Sequence, residues 1–522
     1  MEVQNDHQSV ELLQGQGAEE VRVEIQDGHQ SDSVSDDSDI PWIEGVTKRL
    51  NEYREKKRGR WFCTIFMVPE DVRRCDMNAY DPSIVTIGPY HYPKLKERIT
   101  LQAMQDHKWD CIWRLVSRRT KRSCEAATDL LSTCLKAMKC IDADVRECYS
   151  EDLGMTPHEL ALIMLLDGCF IIHVLLNFNG DLLKDMYNRV MLGINNDDNK
   201  DDQQEEDIAA GHKEDMVEFD LEEIDIDMQV TRGRKVWDTM LLDLVKVENQ
   251  IPFFIIKTLF DKLKTSGDED INLVEIADKL LRSLLPSYGS FSTFRPPLPE
   301  IDEVDHLLEL FHSTLVPSTD CLDTDSSNLE KQKKDVEWIP SVTELQLAGV
   351  KFVEKKNAGS VLDISFKNDT IEIPQVRLHG ATITLFRNLI VFEQCDYLDT
   401  EDNYVTAYAS FMDYMINTSK DVELFELKGI FNNQLGTPDH AATFINQLCH
   451  HTQDRGNNYL QGSMRGIKNY HANRLHKWWA GFRHDYFKNP WTIASLLAAF
   501  ILLLLTVEQS FFAAYSYFRP PS

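Results

Sequence analysis

An uncharged apolar run near the C-terminus, Trp491 to Val507 (WTIASLLAAFILLLLTV), constrains this chain more than any other feature. Glu508 and Gln509 interrupt it, and FFAAYSYF then extends it to Phe518. A helix needs roughly 17–25 apolar residues to span a bilayer, and the uncharged run alone reaches the lower end of that range. Trp478, Trp479, Tyr486 and Trp491 on one side, with Tyr515 and Tyr517 on the other, match the aromatic belts of membrane interfaces. A single membrane anchor over residues 485–518 is therefore expected, marked along its length by Trp491, Leu496, Phe500, Leu504 and Val507. The competing reading, a buried core helix, fits poorly with a position at the end of the chain behind a tryptophan-rich and basic approach.

Flanking charge predicts the orientation. Arg465, Lys468, Arg474, Lys477, Arg483 and Lys488 precede the apolar run, and only Arg519 follows it. The positive-inside rule then puts the body in the cytoplasm, with the plasma membrane as the expected site. The first 39 residues agree, because they lack the basic and apolar regions of a secretory signal. Two glycosylation sequons, at Asn368 and Asn417, argue the other way and would be used only if the body were extracellular.

The net charge is −30, from 85 acidic and 55 basic residues. Such a surface repels nucleic-acid phosphates, so DNA or RNA binding is not expected. A small basic protein or peptide is the natural charged partner. The 11 cysteines are scattered without a C-x-x-C pair. Cys124, Cys134, Cys140 and Cys148 lie too far apart for ordinary zinc spacing, so reduced thiols packed as small hydrophobes are expected rather than a metal site.

Residues 1–39 are rich in Gln, Glu, Asp and Ser and should be a disordered acidic tail. The body, 40–484, reads as mainly helical with a small β element, an α+β chain. Ile40 to Arg60 has the spacing of a short amphipathic helix, and Tyr80 to Pro93 is too rich in Pro and Gly to be helical. Thr100 to Arg119 is helical, and Trp109 and Trp113 are expected in its core-facing surface. Thr156-Pro157-His158-Glu159 opens an almost unbroken apolar helix to Leu176. Asp167 and His173 would be costly in lipid, so this run reads as a central buried helix. An acidic loop is expected at about 195–228 and a polar break at about 317–336. Helix is expected from Lys235 to Val247, stopped by Asn249 to Pro252. Strands are expected at Leu345 to Val353, Val361 to Phe366 and Thr370 to Ile373, and helices at Ala381 to Phe392, Tyr404 to Ile416 and Ala441 to Leu448.

The sequence contains no phosphate-binding loop, nucleophile elbow or kinase signature. His158-Glu159 lacks the second histidine of a zinc protease, and Cys449-His450-His451 reads as a surface turn. Asp167 and Glu248 sit in apolar surroundings that would raise a carboxyl pKa, which makes them the candidates if the chain were an enzyme. A carboxylate held by backbone or arginine hydrogen bonds is the favoured account of both. No catalytic residue, cofactor or metal is expected.

Several ordered blocks resemble the plant domain-of-unknown-function 247 family. They are Val68-Pro69, Tyr80 and Pro82, Ile87-Gly88-Pro89-Tyr90-His91, and Met104 with His107 and Lys108. Leu166 to Phe170, Glu248 to Phe253, Leu347 to Phe352, Leu385 to Leu389, Phe392 to Cys395, Tyr404 and Phe411 to Asp413 continue the series. His173 stands where members often carry an acid, and the acidic insert is unusually long. The resemblance implies a plant membrane-anchored protein without established enzymatic activity. It also implies a recognition or signalling role, since some grass members are implicated as pollen-side determinants of self-incompatibility, recognised by small secreted stigma proteins.

Overall fold

The structure is a computed structural model that describes residues 41–42, 45–50, 63–179, 234–285, 296–318, 338–395, 403–449, 458–472 and 490–518. The expected tail at 1–39, the acidic loop at 195–228 and most of the polar break lie outside the described residues. The chain divides into two units, Met1–Gly59 and Arg60–Ser522. In the first, residues 41–42 and 45–50 are helical, and Trp42, Val46 and Leu50 are exposed.

The second unit is mostly helical. Its first helices are α1 (Glu70–Arg73), α2 (Ile99–Thr120), α3 (Cys124–Cys140), α4 (Asp142–Glu147) and α5 (Pro157–Asn179). They are followed by α6 (Arg234–Asp243), α7 (Phe253–Leu263), α8 (Leu273–Leu281), α9 (Leu307–Ser313) and α10 (Val342–Leu347).

The expected central helix is α5. Thr156 and Glu159 cap it reciprocally: the Thr156 N–H donates to Glu159 Oε2 at 2.8 Å, and the Glu159 N–H to Thr156 Oγ1 at 3.3 Å. Helices α2, α3, α7 and α8 pack around α5. Leu160, Met164, Phe170, Ile172 and Leu175 are sealed between them. Each such side chain contributes roughly 1.5–3 kcal/mol when fully buried, so this bundle is a major source of the unit's stability. Among the described residues one helix, Pro157–Phe178, is long and apolar enough to cross a membrane, and 83% of its apolar window is buried inside the protein. It is a core helix.

The later chain adds three short strands, β1 (Lys351–Glu354), β2 (Ser365–Lys367) and β3 (Thr370–Ile373), in the order β1-β3-β2. β1 runs parallel to β3, and β2 antiparallel. β4 (Val376–Leu378) pairs in parallel with β5 (Phe431–Asn433). Around them lie α11 (Gly380–Cys395), α12 (Tyr404–Met415), α13 (Ser419–Leu427), α14 (Pro438–Leu448) and α15 (Gln461–Ala472), and the last helix is α16 (Pro490–Phe518).

The structure departs from the sequence expectations at four places. The expected strand from Leu345 to Val353 is divided. Ser341 and Glu344 form a capping box that starts α10, and Gly349, at φ +93°, turns the chain into β1. Residues 361–364 carry no strand, so β2 covers only the end of the segment expected from Val361 to Phe366. Helix α6 ends at Asp243 rather than Val247, because side-chain amides take its terminal carbonyls. Asn249 Nδ2 donates to Asp243 O at 2.8 Å, and Gln250 Nε2 donates to Leu244 O and Lys246 O, each at 2.8 Å. Trp109 and Trp113 lie on the outer face of α2, 47% and 63% exposed, because Met104, Cys111, Ile112 and Leu115 supply its buried face. The ten described cysteines are free thiols. Cys111, Cys134 and Cys169 are buried as expected, whereas Cys75, Cys124 and Cys140 are exposed.

Candidate functional site

The segment Tyr80 to Pro93 has almost no regular structure, yet Val85, Thr86, Ile87 and His91 are buried. Buried backbone groups need partners, and here side chains from distant helices supply them. Asp243, fully buried, accepts from the N–H groups of Ser83, Ile84 and Val85 at 2.7–3.0 Å. Lys246 Nζ lies 3.0 Å from Asp243 Oδ1. Asn249 accepts from the Ile87 N–H at 2.6 Å and donates to Val85 O at 3.0 Å. Gly88, at φ +77°, packs against the backbone carbonyl of Gln250, where a Cβ would collide.

Asp167 completes the clamp from α5. Its Oδ2 accepts from the Gly88 N–H at 2.7 Å, and its Oδ1 pairs with Lys108 Nζ at 2.5 Å. The ammonium also donates to Thr86 O at 2.5 Å. Burial pushes the Asp167 carboxyl above its ordinary pKa, against the opposing pull of Lys108 and the Gly88 N–H.

Glu248 ties the end of the same segment to the chain that precedes it. Its Oε1 accepts from the Val68 N–H at 2.7 Å and from Arg73, and its Oε2 lies 3.3 Å from Nε2 of the buried His91. Arg73 reaches on to Asp81 at 2.9 Å, where Lys94 also arrives at 3.1 Å. Burial opposes ionisation of Glu248, but His91, Arg73 and the Val68 N–H outweigh it and hold the carboxyl below its ordinary pKa.

Asp81, His91 and Glu248 offer ligand atoms that all lie within 4.8 Å of one another. They do not fit a divalent cation. The guanidinium of Arg73 bridges both carboxylates, Lys94 occupies Asp81, and Arg98 stands 3.7 Å from its second oxygen. Three cations thus already answer two anions, and a metal would have to displace a bonded arginine.

The same device recurs elsewhere in the unit. Glu393 accepts from the N–H groups of Val405 and Thr406 at 2.8 and 2.7 Å, at the start of α12, and lies 2.8 Å from His312 Nε2. Asp363 accepts from Ser318, Gly359 and Ser360, and Asp421 from Thr343, Asn417 and Thr418. Sequence reasoning singled out Asp167 and Glu248 but missed Asp243, Asp363, Glu393 and Asp421. An acid inside an apolar stretch was the available signal for Asp243 (LLDLV) and Glu393 (VFEQ).

The remaining expected sites whose side chains are described are exposed. Asn368, at φ +60°, tips the hairpin between β2 and β3, and Asn417 precedes α13. Phe500, Leu504 and Val507 on α16 are 58%, 52% and 59% exposed. Trp491 and Leu496 lie in the same helix, with side chains outside the described set. Among the described side chains the apolar stretch of α16 runs from Leu497 to Phe512.

Residues 65–505 match the family model DUF247, described as a plant protein of unknown function. The UPF0481 protein At3g47200 of Arabidopsis thaliana is 29% identical over 476 residues, which cover 88% of each chain. The putative UPF0481 protein At3g02645 of the same plant is 21% identical over 563 residues, 91% of this chain and 95% of its own. No solved structure matches the chain. With the family model covering most of its length, this chain belongs to the DUF247 family of plant proteins.

Proposed function

We propose that the chain is a membrane-anchored recognition or signalling protein whose body is a non-catalytic binding scaffold. The observation that carries the reading is α16, on which Leu497, Phe500 and every residue from Ile501 to Leu505 are about half exposed or more. A contiguous apolar surface of this kind is rare on a soluble chain and calls for a bilayer or a partner. The apolar stretch and the basic residues before it favour the bilayer, with the body on the cytoplasmic side. The buried acids support the scaffold half of the proposal, because each commits at least one oxygen to backbone N–H groups. With a net charge of −30, a small basic protein or peptide is the fitting partner. A pollen-side role in self-incompatibility is the finer form of this proposal and rests on family resemblance alone.

Alkaline carbonate extraction of membranes from plant cells expressing the chain tests the anchor. The full chain is expected to stay in the pellet, and a chain ending before Pro490 to move to the supernatant. Release of the full chain would sink the proposal. Glycosidase sensitivity at Asn368 or Asn417 in intact cells would reverse the orientation while leaving the anchor in place.

A further inference from the structure

Arg387 is a charged side chain that its surroundings do not satisfy. It projects from α11, is 5% exposed, and its Nε has no hydrogen-bond partner among the described residues. Among the described residues the nearest carboxylate oxygen, of the partly exposed Asp76, is 3.8 Å from Nη1, beyond hydrogen-bond reach. The guanidinium otherwise lies over the ring of Phe444, 5.5 Å from its centroid. An arginine cannot shed its charge, and a buried cation without hydrogen bonds is costly.

The same arginine lines a cavity of about 40 Å³ between α1 and the helices α11 and α14. One water needs roughly 10–15 Å³ on this scale, so the cavity has room for a group of about three heavy atoms. Its polar lining joins one cation to neutral groups, the amides of Gln394 and Gln447 among them, which can donate as well as accept. Besides Arg387 it includes Tyr80 and Cys75, with Ile390 and Leu448 as apolar wall, and among the described residues no carboxylate lines it. Burial pushes the Tyr80 phenol up to about 12, so it stays protonated and able to donate at neutral pH. In a chain this acidic, a cavity lined by a cation and neutral polar groups is built against the prevailing charge.

We infer that this cavity binds the head of a small carboxylate, taken up as a free organic acid. The carboxylate oxygens would receive Arg387 Nε–H and the neighbouring donors, leaving the apolar wall to the methyl or methylene end. The site shares only Tyr80 with the acid-clamped segment and does not depend on the membrane anchor.

Carbon NMR with [13C]acetate, recorded on the full detergent-solubilised chain at constant ionic strength, tests the inference. The wild type is expected to broaden the acetate signal saturably, with unlabelled formate reversing the effect. Arg387→Met should abolish the broadening, as should Cys75→Phe, which plugs the cavity and leaves the arginine in place. Circular dichroism identifies which variants fold, and Cys75→Phe decides alone if Arg387→Met does not. Broadening that fails to saturate, or that persists in a folded variant, would overturn the assignment and leave a cavity holding only water.

Discussion

Asp167→Ala is expected to lower the unfolding free energy of the body by about 3–5 kcal/mol, a large share of the roughly 5–15 kcal/mol typical of a folded domain. The substitution strands Lys108, whose side chain is 1% exposed and whose charge answers Asp167 Oδ1. It also strands the Gly88 N–H, which loses its acceptor. An uncompensated buried charge is among the most destabilising lesions a point mutation can make, far beyond the loss of one neutral hydrogen bond. Pairing Asp167→Leu with Lys108→Met removes both charges and should recover part of the loss, while Gly88 N and Thr86 O remain unpaired. Denaturant titration of both variants measures the difference. A single-variant loss below about 1 kcal/mol would mean that the pair is hydrated.

Gly88→Ala should be comparably severe, at about 3–5 kcal/mol, for a different reason. At φ +77° an L side chain is strained, and the added Cβ runs into the backbone carbonyl of Gln250, which cannot swing aside. That carbonyl is fixed by Tyr149 Oη, which donates to it at 2.9 Å. Gly168 is the control. A Cβ there meets Leu259 Cδ1 at 2.5 Å, but that atom ends a flexible side chain that can rotate away. Gly168→Ala should therefore cost about 1–2 kcal/mol. Equal losses at the two glycines, read from thermal or denaturant midpoints, would remove the steric basis for the contact between the two segments.

The sequence revealed the elements whose cause is local. Helix α5 could be read because Thr156, Pro157 and Glu159 announce its start, and because Asp167 and His173 are poorly placed for lipid. The structure accommodates both polar residues, Asp167 with Lys108 and His173 with Asn177 at 2.9 Å. The partners themselves were hidden, since Lys108 is 59 residues from Asp167 and the Glu248–Val68 bond joins groups 180 residues apart. No periodicity encodes such pairings. The indoles of Trp109 and Trp113 were misplaced for a related reason. Large apolar area favours burial, but the face of α2 that meets α5 was already filled by smaller side chains. The end of helix α10, Leu345 to Leu347, reads as strand because six residues are too few to show a helical period, and the capping box at its start is what distinguishes it.

The central claim is that buried carboxylates and amides make a core element of the irregular segment from Ser83 to Gly88. Native-state amide hydrogen exchange of the wild-type chain tests it most directly. Ile84, Val85, Ile87 and Gly88 should exchange as slowly as the interior amides of α5, opening only when the whole unit unfolds. Exchange at those four amides as fast as at the exposed turn of Asn368 would contradict the claim and return the segment to an ordinary surface loop.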